Sequence, residues 1–168
     1  MFKIMYIDKK VINKIVSILE NNTLPVTSDT CTVNGFQSKN IINIFNKNLL
    51  KKILPFKDFY KKIFHIHYIK YYLNGYQIRH NHIKTEKYSF ILYLNDAKGD
   101  TIFEEPIKKR ISCEMGKLLF FSANIWHKAE MSPDEKKVLV LWKSRKGNES
   151  MKLFKLPYIT RKERKGRL

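Results

Sequence analysis

Four of the five histidines fall in two short pairs, His65-Ile66-His67 and His80-Asn81-His82, and the fifth, His127, stands far along the chain. Side chains of an extended segment alternate from face to face, so imidazoles at i and i+2 share a side and can chelate one divalent ion. His80 and His82 follow the turn-forming pair Asn74-Gly75 and precede an apolar run, which suits a strand that opens to a ligand. His65 and His67 sit inside FHIHYIKYYL, flanked by core-forming residues with no adjacent turn, and read as a structural pair. His127 comes after GKLLFFSANIW, a strand ending in small and polar residues, and ahead of a polar loop, KAEMSPDEKK, that leads to a further strand. It is the candidate third ligand, placed at a strand end that faces a pocket mouth.

These residues meet only if the elements around them bring them together. Asp8 is placed to cap a helix whose apolar positions Val11, Ile12, Ile15, Val16, Ile18 and Leu19 recur every three or four residues and stop near Asn21-Asn22. Residues 23–36, with Pro25, Asn34 and Gly35, read as turn and short extended structure. A second helix is expected from about Ser38 to Ile53, burying Ile41, Ile42, Ile44, Phe45, Leu49 and Leu50, with Pro55 closing it. Beyond Pro55 the texture changes to short runs rich in β-branched and aromatic residues: KIFHIHYIKYYL, YQIRHNHI, KYSFILYLND, DTIFEE, GKLLFFSA and KVLVLWK. Six or more strands in about ninety residues mean a sandwich or barrel rather than alternating βα units. The expected fold is therefore α+β: two N-terminal helices packed on a double-stranded β-helix, a jelly-roll of cupin-like type. One domain is expected over residues 1–145, helical over 1–55 and β-sandwich over 60–145, followed by a basic tail at 146–168.

The balance of 33 Lys and Arg against 15 Asp and Glu gives a net charge of +18, which suits a polyanionic partner such as nucleic acid or an acidic protein. Much of the excess is spread through Lys-Lys doublets at 9–10, 51–52, 61–62, 108–109 and 136–137, and the densest cluster is the terminal KLPYITRKERKGRL. The abundance of Lys, Asn, Ile, Tyr and Phe is also the usage expected of an A+T-rich coding sequence. No apolar segment is long enough to cross a membrane, and MFKIMYIDKK lacks the apolar run of a signal peptide. Cys31 and Cys113, widely separated, suit a reducing compartment, so a cytoplasmic location is expected, in a host cell if the chain is viral.

Several strings then fall into one order: Tyr72-x-Asn74-Gly75-Tyr76-x-x-Arg79-His80-x-His82, Tyr93-Leu94-Asn95-Asp96, Gly99-Asp100-Thr101-x-Phe103, Gly116 to Phe121, His127, and Lys136-Lys137 ahead of Trp142. In this order and spacing the chain resembles the iron(II)- and 2-oxoglutarate-dependent dioxygenases, especially their prolyl-hydroxylase-like branch, over roughly residues 65–145. The resemblance implies His80, His82 and His127 as metal ligands, Fe(2+), 2-oxoglutarate and O2 as cofactor and co-substrates, and ascorbate as an accessory reductant. Three ligands on one face leave three positions free, two for the keto acid and one for dioxygen. A cation deeper in the barrel would hold the far carboxylate of 2-oxoglutarate; Lys136, nine residues after His127, is the first choice and Lys137 the alternative, since alternation lets only one point inward. Tyr72 matches a family tyrosine that lines the co-substrate pocket, Tyr93 lies one place from another, and Arg79 is a candidate for substrate contact.

The chain departs from the family where a carboxylate usually follows the first histidine: it has His82, a variation similar to that of small phage-associated relatives. Three neutral ligands leave a dicationic metal with no protein anion. A cupin would use Glu86 as an extra ligand, but its second motif wants a histidine three residues after a glycine, whereas Gly116 is eleven before His127. The resemblance implies a dioxygenase hydroxylating a peptidyl substrate, including prolyl residues, or an amino acid. A nucleic-acid-directed oxygenase and a noncatalytic basic binding protein that retains the fold are the alternatives.

Overall fold

The computed structural model describes residues 1–27, 31–54, 63–82 and 86–144, so the expected basic tail and the helix-closing Pro55 lie outside the described residues. The first helix, α1 (Lys9–Glu20), forms where its periodicity places it. Asp8 caps it by accepting from the Lys10 amide at 2.7 Å, and Ile12, Ile15 and Leu19 are buried on one face. Preceding it, Phe2–Tyr6 forms a strand, β1, that was not expected; Thr32–Gln37 forms the short strand β2.

The second helix is shorter than its apolar spacing suggests. Only Lys47–Ile53 (α2) is α-helical, capped by Asn46 through the Leu49 amide at 2.9 Å, with a 3-10 turn at Ile42–Ile44 before it. Residues 38–41 instead line the edge of the next strand. The Ser38 amide donates to the Tyr68 carbonyl and the Ile41 amide to the Ile66 carbonyl, both at 2.8 Å. In return, the Ser38 hydroxyl accepts from the Tyr68 amide at 2.9 Å and the Asn40 side chain from the Ile66 amide at 3.0 Å. These bonds take amides that a helix would otherwise use.

Seven further strands follow: β3 (Ile63–His80), β4 (Glu86–Tyr93), β5 (Ala97–Phe103), β6 (Lys109–Cys113), β7 (Lys117–Ser122), β8 (His127–Ser132) and β9 (Lys136–Ser144). The two segments expected as separate strands on either side of Asn74-Gly75 are one strand, β3, which bends there instead of turning back. Asn74 takes a φ of 61°, which asparagine tolerates, and the β3–β8 register shifts just after Gly75. Gly75 is needed for close approach: a Cβ at that position would lie 2.4 Å from the Asn34 carbonyl oxygen.

The bend makes β3 the shared seam of two walls. Hydrogen-bonded order runs β1-β7-β4-β9-β3-β8-β5-β6, with β9 beside the first half of β3 and β8 beside the second, all pairs antiparallel. This is the expected jelly-roll, with two helices against its larger wall. The outer face of that wall buries Ile66, Phe90, Leu92, Leu118, Phe120, Leu139 and Leu141 with Ile12, Ile15, Leu19 and Leu50 of the helices. Its inner face presents Ile69, Ile91, Leu119, Val138 and Val140 to Phe103, Ile111 and Ala129 of the smaller wall. Among the described residues no helix is long and apolar enough to cross a membrane.

Candidate metal centre

The bend in β3 and the start of β8 bring two of the three histidines face to face. His80, the last residue of β3, is the cross-strand partner of His127, the first residue of β8, and their ring centroids are 4.3 Å apart. The segment after His127, expected as a loop, is thus strand β8: inward His127 and Ala129 are buried while Lys128 is exposed. His82 lies two residues beyond β3, not on it, and its position is set by the loop after β7, whose Ala123 carbonyl accepts from the His82 amide at 2.8 Å. The His82 ring is 4.9 Å from His80 and 5.4 Å from His127. One nitrogen from each of the three rings lies within 4.8 Å of the others, and an ion with metal–nitrogen bonds of ~2.1 Å would draw them closer.

Local hydrogen bonds aim two of these rings. His80 Nδ1–H donates to the Ile78 carbonyl at 2.8 Å and His127 Nδ1–H to the Ile125 carbonyl at 3.0 Å, which leaves each Nε2 with its lone pair free. Such bonds fix tautomer and orientation in histidine metal ligands. Phe121 meets the His127 ring edge-on at 4.9 Å and Phe103 stacks at 5.7 Å, giving it an apolar seat. Burial lowers the pKa of all three, with neighbouring imidazoles adding to the effect for His82, down to about 2, and His127, down to about 3. At neutral pH the three are uncharged, the state a metal requires. This donor set fits a divalent transition metal such as Fe(II).

The histidines open on a cavity of about 280 Å³ lined also by Cys31, Gln37, Ile69, Gln77, Ile91, Phe121, Val140 and Trp142. A second, much smaller cavity of about 10 Å³ shares Gln77, Ile91, His127 and Val140 with it and is lined also by Tyr71, Thr101 and Lys136. Lys136 is 1% exposed; its ammonium donates to the Gly99 carbonyl at 2.6 Å and lies 5.5 and 5.7 Å from the ring centroids of Tyr71 and Tyr93. Burial lowers its pKa, and Cys113, Asp100 and Glu130 oppose that shift. Lys137 points the other way, to Glu135 at 3.3 Å and Glu20 at 3.5 Å on the outer surface. The same alternation separates Tyr71, buried in the interior, from Tyr72, 45% exposed and facing the outer groove beside Lys70. Of the two, Tyr71 lines the small cavity at Lys136, and the expected Tyr72 does not. Tyr93 is buried and donates to Thr101 Oγ1 at 2.6 Å.

Arg79 lies outside the cavity. It pairs bidentately with Glu104, at 2.7 and 2.7 Å, and stacks over Trp126 at 3.9 Å. Glu86, the extra cupin ligand, is not in the histidine cluster. His65 and His67 are also outside it, but they face the interior, in ring contact with Trp142 at 5.9 and 4.6 Å. Sequence reasoning missed Gln77, which accepts from the Tyr71 hydroxyl at 3.3 Å and lines both cavities. Its inward direction follows from the β3 bend, which no local signal displays.

No protein-family model matches the chain, and no curated protein matches it in sequence. Solved structures do match in fold. A Pseudomonas putida prolyl-4-hydroxylase superposes with a TM-score of 0.67 at 13% identity, covering 87% of this chain and 93% of that one. A Trichoplax adhaerens prolyl hydroxylase in complex with a hypoxia-inducible-factor peptide fragment matches with a TM-score of 0.67 at 13% identity, over 93% and 87%. A viral collagen prolyl hydroxylase from Paramecium Bursaria Chlorella virus-1, in its 2-oxoglutarate complex, gives 0.60 at 13% identity, over 85% and 95%. The chain has the fold of the 2-oxoglutarate- and iron(II)-dependent oxygenases. The three prolyl hydroxylases named share that fold.

Proposed function

We propose that the chain is an iron(II)- and 2-oxoglutarate-dependent oxygenase that hydroxylates a peptidyl substrate. The observation that carries this reading is one interior holding three convergent imidazoles and, at its deep end, the buried Lys136 ammonium. His80, His82 and His127 would hold the metal, which when bound supplies activation of dioxygen beside a chelated keto acid. Lys136 would bind the far carboxylate of 2-oxoglutarate, with the Tyr93 and Tyr71 hydroxyls as neighbouring donors. Burial keeps both phenols protonated, and each would turn its one hydrogen from its present acceptor, Gln77 for Tyr71 and Thr101 for Tyr93, to donate to the carboxylate. Between these ends Ile69, Ile91, Val138 and Val140 exclude water, which strengthens the ammonium–carboxylate attraction. Three prolyl hydroxylases among the structural matches, one of them bound to a peptide, support a peptide substrate, and the basic balance of the chain suits an acidic one.

The test is anaerobic reconstitution with Fe(II) and 2-oxoglutarate, followed by admission of air and mass spectrometry of candidate peptides. The expected result is succinate formation together with a +16 product. Iron binding without succinate from any substrate would leave a metal-binding protein and end the oxygenase reading.

A further inference from the structure

The inner face of the larger wall is graded along the strands. Register places Tyr71 beside Lys136 at the deep end, then Ile69, Val138 and Tyr93 in a row, then His67, Val140 and Ile91. The outermost row is His65, Trp142, Ser89 and Phe121. A charged end and an uncharged polar end are thus separated by an apolar belt.

At the uncharged end, three buried polar atoms have no hydrogen-bond partner among the described residues: His67 Nε2, Ser89 Oγ and Trp142 Nε1. Ser89 and Trp142 are cross-strand partners and so project to the same side. The His67 and Trp142 rings are 4.6 Å apart, and the indole, which lines the metal cavity, is 4.9 Å from the His82 ring. Their chemical roles differ. His67 Nδ1–H is committed to the Ser38 carbonyl at 2.8 Å, so in the neutral ring Nε2 can only accept; the indole N–H can only donate; the serine hydroxyl can do either. Buried polar groups are normally paired, and three unpaired on one sheet face, with the Trp142 ring at the wall of the cavity and His67 and Ser89 behind it, indicate a guest that reaches past the indole.

We propose that His67, Ser89 and Trp142 form a subsite for an uncharged amide of the substrate, its N–H accepted by His67 Nε2 and its carbonyl bound by the indole N–H and the Ser89 hydroxyl. A carboxylate would leave Nε2 without a donor, and an ammonium would leave the indole N–H without an acceptor; the three groups also offer neither of them a counter-charge. A purely accepting group leaves Nε2 unpaired in the same way. A peptide bond meets both roles at once. That this amide belongs to the substrate rests on the oxygenase reading above; that the three groups bind an amide does not.

The test is NMR of the full, metal-free chain, following the Trp142 indole N–H resonance, assigned by its persistence in Trp126→Phe. N-methylacetamide is expected to shift it saturably, whereas acetate and N,N-dimethylacetamide are expected to leave it in place. Ser89→Ala and, separately, His67→Phe should each weaken the amide response roughly three- to tenfold, the loss of one neutral hydrogen bond. Two variants guard against one failing to fold, which the dispersion of the amide spectrum reports. No saturable shift, as when the groups hold only a fixed water, overturns the subsite. So does an equal response to acetate, or unchanged affinity in both variants, and a stronger response to uracil overturns its assignment to a peptide. A cobalt(II) titration of a second sample separates the two readings. Amide binding without cobalt binding keeps the subsite and removes the oxygenase, while cobalt binding without an amide response removes the subsite alone.

Discussion

Replacing Lys136 with methionine removes the ammonium at the deep end of the cavity while keeping an unbranched chain of similar volume. Its Nζ sits between Tyr71 and Tyr93 with one described acceptor, the Gly99 carbonyl at 2.6 Å, so most of its hydrogen-bonding capacity is left for a ligand. A hydrogen bond to a charged group is worth about 1.5–3 kcal/mol, which converts to a loss of roughly 10- to 150-fold in affinity for 2-oxoglutarate. The Lys137→Met variant is the control. That side chain holds Glu135 and Glu20 on the outer surface, where such pairs contribute about 0–1 kcal/mol to stability and nothing to the cavity. Isothermal titration with 2-oxoglutarate in the presence of nickel(II), which avoids turnover, reads both variants. Unchanged affinity in Lys136→Met, or an equal loss in Lys137→Met, would refute the reasoning that strand parity decides which lysine meets the co-substrate.

Other perturbations test other parts of the structure. His82 and His127 titrate at about 2 and about 3 when folded, against ~6.5 when unfolded, so the unfolded chain binds more protons below that value. Stability of the metal-free chain should hold above pH 6.5 and fall below it by about 1.4 kcal/mol per pH unit for each group; a urea midpoint that stays flat from pH 7 to 5 would contradict this. Gly75→Ala should destabilise by about 1–3 kcal/mol, read as a lowered Tm, because its Cβ collides with the Asn34 carbonyl at the β3 bend. Exchanging His82→Asp supplies the anion that the ligand set lacks, so divalent-metal affinity should rise by about tenfold or more, and an unchanged or weakened affinity would count against a site limited by its charge.

Much of this architecture was legible because the signals are local. The α1 periodicity and its Asp8 cap, the apolar runs of β4, β7 and β9, and the spacing of His80 and His82 all lie within a few residues of what they specify. Parity was not legible. Tyr71 against Tyr72 and Lys136 against Lys137 are adjacent choices, and only the pairing Tyr71↔Lys136 in the β3–β9 register fixes which of each faces inward. Strand β8 was hidden because HKAEMS alternates one aromatic ligand and a small residue with charged ones, a pattern that reads as loop. The second helix was overextended because Ile41 and Phe45 have helical spacing, while the bonds that hold 38–41 against β3 come from residues more than twenty positions away. The two polar ends of the interior emerge only when β3, β9 and β4 are aligned side by side.

Cobalt(II) titration, followed by the visible absorption of the bound ion, bears most directly on whether the three histidines act together. One ion per chain should bind to the unaltered protein. His80→Ala, His82→Ala and His127→Ala should each weaken binding by about two orders of magnitude or more, while His65→Ala leaves it unchanged. Binding that survives His127→Ala, or is lost in His65→Ala, would place the metal elsewhere and leave the jelly-roll without the centre assigned to it.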